Sequence, residues 1–229
     1  MKETGLMFKE PLVRAILEGR KTQTRRVVKP QPAPGQGMVN AAYCGRPDLF
    51  LRDGPCDETD PARLWRCPMG QPGDRIYVRE TWSPDPPCDG TWCYTSWAGC
   101  RQGQIEGVPE RFRTPEHCMY AASTNTDMVW TPSVHMPKWA ARIWLEITGV
   151  RVERLQQITD ADCWAEGAIT EARPDQFSVH SVIATDGKAY LSPRGAFSSL
   201  WESTGCYWAE NPWVWVIDFK TISTNGRPA

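Results

Sequence analysis

The clearest element in this sequence is an alternating segment at residues 141–155, ARIWLEITGVRVERL. Apolar Ile143, Leu145 and Ile147 take every second position, and this period of two predicts a β-strand with one buried face. No other segment of the chain alternates as clearly, so we expect this strand to organise the sheet around it.

The remaining elements are short and irregularly spaced. LMFK at 6–9 predicts a strand, and Pro11 then opens a helix with an apolar stripe. Further elements are predicted at RIYVRETW (75–82, strand), TDADCWAEGA (159–168, helix capped by Thr159 or Asp160 and ended by Gly167), GAFSSLWES (195–203, helix) and NPWVWVIDFKTI (211–222, strand). Without regular βαβ alternation, or a GxGxxG or P-loop motif, the pattern favours an α+β fold around a mixed sheet or small barrel.

Two long stretches interrupt these elements. Residues 31–72 are rich in Pro, Gly and Asp with weak periodicity, and residues 83–131 are irregular, with short possible strands at TWCYTSW and MYAAS. Such stretches are typical of insertions packed on a core. We therefore predict a single domain over residues 1–229.

Charge and hydropathy exclude several classes of protein. The 26 basic and 27 acidic residues give a formal net charge of −1, which argues against a protein that holds nucleic acid mainly through counterion release. No apolar run approaches the roughly 20 residues of a membrane span. The N-terminus lacks a long apolar stretch and carries acidic residues, unlike a signal peptide. The prediction is a cytoplasmic protein with no membrane partner.

The nine cysteines indicate reduced thiols. None forms a Cys-x-x-Cys pair, the three His lack zinc-type spacing, and the cysteine count is odd. We expect no metal site and no cofactor.

The segment LEGRKTQTRR (17–26) concentrates cations and hydroxyls directly after the first predicted helix. One interpretation is a solvated basic helix end, which the helix dipole favours. In the other, Lys21 and Thr24 converge on a substrate, with the amine activating the hydroxyl. This requires a Lys pKa far below its usual value, and burial or nearby Arg charges such as Arg20 and Arg26 would have to supply the shift.

Glu166 is the best candidate for a carboxylate that holds Lys21. It lies near the end of the short predicted helix, immediately before Gly167. Such a carboxylate stabilises the ammonium form of the lysine and so opposes the pKa depression. The alternative is an ordinary exposed Glu at a helix terminus.

Two further segments carry candidate binding residues. In the strand predicted at 75–82, either Arg79 or Glu80 must point inward, and an inward charge needs a partner. This makes the pair a site candidate or a structural salt bridge. The loop at 132–139 holds His135 between two prolines, which stiffen it as a binding loop requires, although a lone His is more often structural.

Four of these segments together resemble the ASCH-domain proteins of the PUA-like superfamily. They are LEGRKTQTRR, PGDRIYVRETW, LEITGVRVERLQQITDADCWAEG and PWVWVIDFK. The resemblance covers roughly half of the chain and is close to the long ASCH proteins of phages and environmental sequences. It implies a small mixed β-barrel flanked by short helices, with insertions at about 31–70, 83–130 and 170–194.

The resemblance also implies a function. Small bacterial members are similar to amidohydrolases that remove the acyl group from N4-acetylcytidine with a Lys, a Thr and a Glu. Carried onto this chain, these are Lys21, Thr24 and Glu166, and Arg26 matches the Arg two residues after the Thr. The sequence departs from the pattern at Arg25, where a small apolar residue is more usual.

We therefore predict an amidohydrolase acting on N4-acylated cytosine or cytidine, with a small base or nucleoside as its substrate. Lys21 would take the proton of Thr24, and Glu166 would orient Lys21. Arg26 or a backbone N–H near residues 22–24 would bind the oxyanion, and Trp82 or Trp139 would stack on the base. Arg79, Glu80 and His135 complete the predicted substrate-binding set. The rival is a non-catalytic module that binds RNA or a modified base. A nuclease would need an acid–base pair beside a phosphate cradle, which no motif singles out.

Overall fold

The computed structural model describes residues 1–33, 37–40, 50–52, 64–85, 108–127, 129–174 and 180–228. The strands are β1 (Glu3–Met7), β2 (Gln23–Val27), β3 (Met38–Asn40), β4 (Phe50–Arg52), β5 (Leu64–Trp65), β6 (Arg75–Arg79), β7 (Trp82–Pro84), β8 (Cys118–Tyr120), β9 (Trp144–Arg154), β10 (Ile169–Pro174), β11 (His180–Ala184), β12 (Ala189–Tyr190) and β13 (Trp213–Ser223). The α-helices are α1 (Glu10–Leu17), α2 (Asp160–Ala165) and α3 (Pro193–Glu202).

The chain forms two compact units. Unit 1 consists of Met1–Glu18, Arg75–Glu146 and Thr221–Ala229, and unit 2 consists of Gly19–Asp74 and Ile147–Lys220. The prediction of one domain with insertions stays a prediction. The possible strand at TWCYTSW (91–97) lies outside the described residues, as do large parts of the first two predicted insertions.

Unit 1 is built on β6, which pairs in parallel with β1 and antiparallel with the start of β9. Along β6 the side chains alternate, with Ile76 and Val78 fully buried. A separate antiparallel pair, β7 with β8, carries the apolar cluster of this unit: Trp82, Cys118, Tyr120, Met136, Ala140 and Ala141. Helix α1 buries Val13, Ala15 and Ile16, and Pro11 lies in its first turn, as predicted.

Unit 2 places β2 antiparallel to β13, with Thr24 opposite Ile217 and Arg25 opposite Val216. Its core joins α2, α3, β10, β11 and β13 through buried apolar side chains: Leu155, Ile158, Cys163, Ala168, Ile169, Val182, Ala184, Ala196, Phe197, Trp201, Val214 and Val216. This core lies under the face of β13 that carries Val214 and Val216, which is also the face of β2 that carries Arg25.

Several segments differ from their predictions. The strand predicted at 75–82 is interrupted after Arg79 and continues as the separate strand β7, and the described part of 31–72 includes the short strands β3, β4 and β5. The predicted loop insertion at 170–194 contains strands β10, β11 and β12, which form an antiparallel three-stranded sheet. Its strands are short and a tight turn at Gly187 joins two of them, so their periodicity is weak in the sequence. Buried Val182 and Ala184 tie this sheet to the core of unit 2.

The mixed α+β class is confirmed, with several sheets. Within the described ranges these sheets do not close into a barrel, so the small β-barrel expected from the resemblance is not confirmed. Across the described residues, we find no helix with the length and apolar character that crossing a membrane requires.

Candidate active site

Lys21 lies between the end of α1 and the start of β2, and its amine is buried. Its Nζ donates to the carbonyl oxygen of Gln23 (2.6 Å), the carbonyl oxygen of Glu166 (2.8 Å) and the Glu166 carboxylate oxygen Oε2 (2.8 Å). Three acceptors match the three N–H groups of an ammonium. The structure thus brings Lys21 and Glu166 together, as predicted, across 145 residues of chain.

Glu166 is held in place by the end of helix α2. Thr159 caps the helix start in a reciprocal capping box with Asp162, and Glu166 is the C-cap residue. Gly167 follows with φ of 69°, the left-handed conformation that commonly ends a helix. The Glu166 side chain is buried rather than an exposed helix terminus, which rules out the alternative considered for it.

The two oxygens of the Glu166 carboxylate have different partners. Oε2 accepts from Lys21, whereas Oε1 accepts from Nη1 of Arg25 at 3.1 Å. The Arg25 side chain is itself fully buried. Since a buried charge needs compensation, one carboxylate shared by two cations leaves a surplus of positive charge that other acids must balance.

Those other acids belong to a closed ring of hydrogen bonds, which we call the polar ring: Gln23, Arg25, Glu153, Arg151 and Asp218. Arg25 donates to Gln23 Oε1 (2.5 Å) and to Glu153 Oε1 (2.6 and 3.1 Å). Arg151 joins Glu153 Oε2 (3.3 Å) to Asp218 Oδ2 (3.0 Å), and Gln23 Nε2 closes the ring on Asp218 Oδ1 (2.6 Å). Asp162 attaches to both arginines from outside the ring.

The surroundings lower the pKa of Lys21 below its ordinary value of 10.5. Burial is the largest cause, and the charges of Arg26 and Arg25 act in the same direction. The charge and hydrogen bond of Glu166 oppose them and raise the pKa. The direction of this shift is the one that a lysine base needs, and the charges of Arg25 and Arg26 contribute to it.

Thr24 is buried in the middle of β2. Side chains alternate along a strand, so Thr24 and Arg26 project from the face opposite Gln23 and Arg25. The Thr24 hydroxyl is not one of the three acceptors of Lys21 described above. Arg26 is half-buried, and burial lowers the pKa of its guanidinium while the charge of Glu166 opposes that shift.

One predicted oxyanion donor is already engaged. The backbone N–H of Thr22 donates to the carbonyl oxygen of Ala165 at 2.8 Å, which ties the chain before β2 to the end of α2. Arg26 remains the side-chain donor in that prediction.

The other predicted binding residues lie in unit 1. Glu80 points inward, and its two carboxylate oxygens accept from Nε and Nη2 of Arg142, both at 2.9 Å. The guanidinium of Arg142 also lies 4.1 Å from the centre of the Tyr120 ring. Burial raises the pKa of Glu80, and Arg142 opposes that shift. The structural salt bridge weighed for this segment is therefore formed.

Arg79 and His135 meet at the Pro-bounded loop. Arg79 is half-buried, and its Nε donates to the carbonyl oxygen of Met136 at 3.2 Å, while Nη2 donates to that of Val134. His135 ends a short 3₁₀ turn at Ser133–His135 and is exposed. Substrate binding by either residue stays a prediction.

Trp82 belongs to the core of unit 1. Its ring is fully buried, 5.5 Å from the ring centre of Trp139 and at 89° to it. A ring packed in this way offers no open face to a ligand base. Trp139 is half-buried, so stacking on a base stays a prediction for Trp139.

The polar ring is what the sequence interpretation missed. The motifs mark Arg25 only as a departure from a pattern, and they do not point to Gln23, Glu153, Arg151 or Asp218. A signal existed, because alternation along β2 puts two polar residues, Gln23 and Arg25, on a face that must be buried. Among the residues that the structure describes, no group of three or more His, Cys, Asp or Glu side chains is arranged to hold a metal ion.

Comparisons with known proteins add little to this geometry. No protein-family model matches the chain, and no curated protein matches it. Among solved structures, the crystal structure of an ASCH domain from Lactobacillus crispatus JV V101 matches with a TM-score of 0.34 and 12% sequence identity, over 97% of this chain and 80% of that chain. A TM-score of this size does not establish the family, so the ASCH resemblance stays an interpretation of the sequence motifs.

Proposed function

We propose that this chain is an amidohydrolase that removes the acyl group from N4-acylated cytosine or cytidine, with Lys21, Thr24 and Glu166 as its catalytic residues. The observation that supports this proposal is the buried contact between the Lys21 amine and the Glu166 carboxylate. A lysine with a lowered pKa serves as a general base nearer to neutral pH than a free lysine does.

In the first step, neutral Lys21 removes the proton from the Thr24 hydroxyl as the Thr24 oxygen attacks the amide carbonyl carbon. The C–O bond forms, the carbonyl π electrons move to oxygen, and Lys21 becomes an ammonium that Glu166 stabilises. The tetrahedral intermediate then collapses, the C–N bond breaks, and the exocyclic nitrogen of cytosine leaves with a proton from Lys21.

In the second step, water attacks the acyl ester on Thr24. Lys21 accepts a proton from that water, the C–O bond to Thr24 breaks, and the threonine oxygen recovers the proton as the carboxylic acid departs. The transfer requires Lys21 Nζ and Thr24 Oγ1 to come within hydrogen-bond distance in the substrate complex, where such contacts tighten relative to the free enzyme. A direct attack by water, with Thr24 positioning it, uses the same three residues and forms no ester.

Arg26 is the proposed donor to the oxyanion. It shares a face of β2 with Thr24, which supports a role beside the reacting hydroxyl. A guanidinium keeps its positive charge at neutral pH and stabilises the negative oxygen of the intermediate.

The test is incubation of the purified chain with N4-acetylcytidine, followed by the appearance of cytidine absorbance. Turnover is expected in the wild type, with a loss of about 100-fold or more in Lys21→Ala, Thr24→Ala and Glu166→Ala. Lys188→Ala is the matched control, since Lys188 is an exposed lysine of the same unit. Unchanged turnover in all three variants would contradict the proposal. No turnover in the wild type, together with salt-dependent binding of labelled RNA, would favour the rival nucleic-acid-binding function.

A further inference from the structure

We infer that Arg25 is a positioning residue for Glu166: it binds one oxygen of the carboxylate and so directs the other oxygen to Lys21. This inference rests on the proposed function, in which Lys21 and Glu166 act together. It assigns a role to a residue that neither the motif nor the predicted catalytic set contains.

The first support is the division of the carboxylate between two donors. Arg25 Nη1 donates to Oε1 at 3.1 Å and Lys21 Nζ donates to Oε2 at 2.8 Å, so neither cation competes for the oxygen of the other. A carboxylate held at both oxygens cannot rotate about its last side-chain bond without breaking one of these contacts. Arg25 therefore fixes the orientation in which Glu166 meets Lys21.

The second support is that Arg25 is itself fixed. Its guanidinium makes three further hydrogen bonds, one to Gln23 and two to Glu153. Its Nη2 also lies 3.3 Å from the carboxylate oxygen Oδ2 of Asp162. The guanidinium carbon also lies 5.8 Å from the centre of the Phe197 ring in the core of unit 2. Because the guanidinium is planar and rigid, these contacts fix the direction of the Nη1–H bond that points to Glu166.

The polar ring also constrains the backbone around Lys21. Gln23 accepts from Arg25 through its side chain and from Lys21 through its main-chain carbonyl. Gln23 is held in turn by its own donation to Asp218. Arg25 is thus linked to Lys21 through two residues, Glu166 and Gln23.

The electrostatic consequence has a definite sign. Among the charged groups that act on Lys21, Glu166 raises its pKa, whereas Arg26 and Arg25 lower it. Loss of the Arg25 charge removes one of the positive charges that lower the pKa of Lys21. The negative charge of Glu166, which raises that pKa, is then no longer shared with Arg25. The pKa of Lys21 should therefore rise when Arg25 becomes neutral.

The experiment is an NMR titration of the full chain labelled with ¹³C at the lysine Cε position. The Lys21 signal is assigned by its disappearance in Lys21→Arg. In Arg25→Met we expect the Lys21 midpoint to move up by about one pH unit. Arg25→Lys keeps the positive charge but loses the planar guanidinium donors, so we expect a smaller shift of the Lys21 midpoint. Arg154→Met removes an arginine at the end of β9 that donates to the carbonyl oxygen of Asn211 instead, and it should leave the Lys21 midpoint unchanged.

The activity of the same variants provides the second readout. We expect kcat to fall about tenfold or more in Arg25→Lys with little change in KM, because the carboxylate loses its orientation while substrate contacts remain. If Arg25→Met does not fold, Arg25→Gln replaces it, since Gln is neutral and still donates a hydrogen bond.

The two proposals fail in different ways. If the wild type shows no turnover, the amidohydrolase proposal is wrong. The NMR titration still tests whether Arg25 acts on Lys21, because it does not depend on activity. An unchanged Lys21 midpoint in Arg25→Met or Arg25→Gln, with normal kcat in Arg25→Lys, would overturn the role of Arg25 even if the wild type is an active amidohydrolase.

Discussion

Lys21 Nζ contacts Glu166 twice, at the side-chain oxygen Oε2 and at the main-chain carbonyl oxygen, both at 2.8 Å. The amine is therefore anchored to the end of α2 even without the carboxylate. Because of this double contact, substitutions of the Glu166 side chain should change the chemistry of Lys21 more than its position.

Replacement of Lys21 by methionine should abolish turnover while the chain stays folded. Methionine fills the buried space of the lysine stem without supplying a base. We expect kcat to fall by about 100- to 10,000-fold, the range typical of a lost general acid–base residue. The measurement is steady-state deacylation of N4-acetylcytidine, with a urea unfolding curve to check folding. Retention of more than about a tenth of the wild-type kcat would contradict a role as the base.

Glu166→Gln should move the pH profile to lower pH. In the wild type, kcat/KM should fall as the pH decreases through the pKa of Lys21, because the base becomes protonated. Glu166 raises that pKa, so a neutral amide in its place lowers it and moves the falling limb to lower pH. The check is a pH–rate profile of both proteins. A limb that moves to higher pH, or stays in place, would show that another group controls it.

Thr24→Ser and Thr24→Val separate a hydroxyl requirement from a packing requirement. Serine keeps an attacking oxygen in a buried strand position, whereas valine keeps the shape and loses the oxygen. We expect measurable turnover in Thr24→Ser and a loss of about 100-fold or more in Thr24→Val. Mass spectrometry of the wild type after rapid acid quenching would detect the acyl ester. A Thr24→Val variant with wild-type kcat would exclude both the covalent route and a positioning role for the hydroxyl.

Asp162 should contribute to acid stability. Burial raises its pKa, but the side-chain and backbone hydrogen bonds of Thr159, with Gln23 and Arg25, outweigh burial and hold the pKa of Asp162 at about 2 instead of 3.8. A depressed carboxyl pKa stabilises the fold above about pH 4, and this stabilisation is lost as the pH falls from there towards 2.

Asp162→Asn should therefore show a smaller loss of unfolding free energy between pH 5 and pH 2 than the wild type shows, as measured by urea unfolding at each pH. If the unfolding free energy of the wild type and of Asp162→Asn falls equally with pH, the proposed contribution of Asp162 to acid stability is wrong.

Arg142→Met should destabilise the fold strongly, because it leaves the buried Glu80 carboxylate without its cation. We expect a loss of about 3 kcal/mol in unfolding free energy, measured by urea denaturation. Arg227→Met removes an exposed arginine that pairs with Glu3, and it should cost less than about 1 kcal/mol. The double variant Glu80→Leu, Arg142→Met should recover part of the loss. Equal effects of the two arginine substitutions would show that burial of the Glu80 pair is unimportant.

Local patterns predicted those parts of the fold that local chemistry controls. The period of two predicts β9 and an inward charge at Arg79 or Glu80, which the structure assigns to Glu80. Thr159 or Asp160 and then Gly167 predict the two ends of α2, and Thr159 is the cap. Each of these predictions rests on neighbouring residues, where spacing and backbone preference are sufficient.

The polar ring could not be predicted in the same way. Arg25 meets Glu153 and Glu166 at separations of 128 and 141 residues, and the spacing along the chain does not encode those contacts. The Lys21–Glu166 contact was expected only because motifs pointed to both residues. The sheet of β10, β11 and β12 was missed for a different reason, since strands of two to six residues show too few periods to distinguish them from a loop.

The five residues of strand β2 carry the polar-ring residues Gln23 and Arg25 on one face and Thr24 and Arg26 on the other. On the first face, Arg25 forms ion pairs with Glu153 and Glu166, so a replacement of Arg25 leaves these carboxylates without one of their cations. The Thr24 face carries a single charge, that of Arg26, which acts electrostatically on Lys21 and Glu166. A library randomised at residue 24 should therefore retain more folded members than one randomised at residue 25, although both should lose turnover if the proposed function holds.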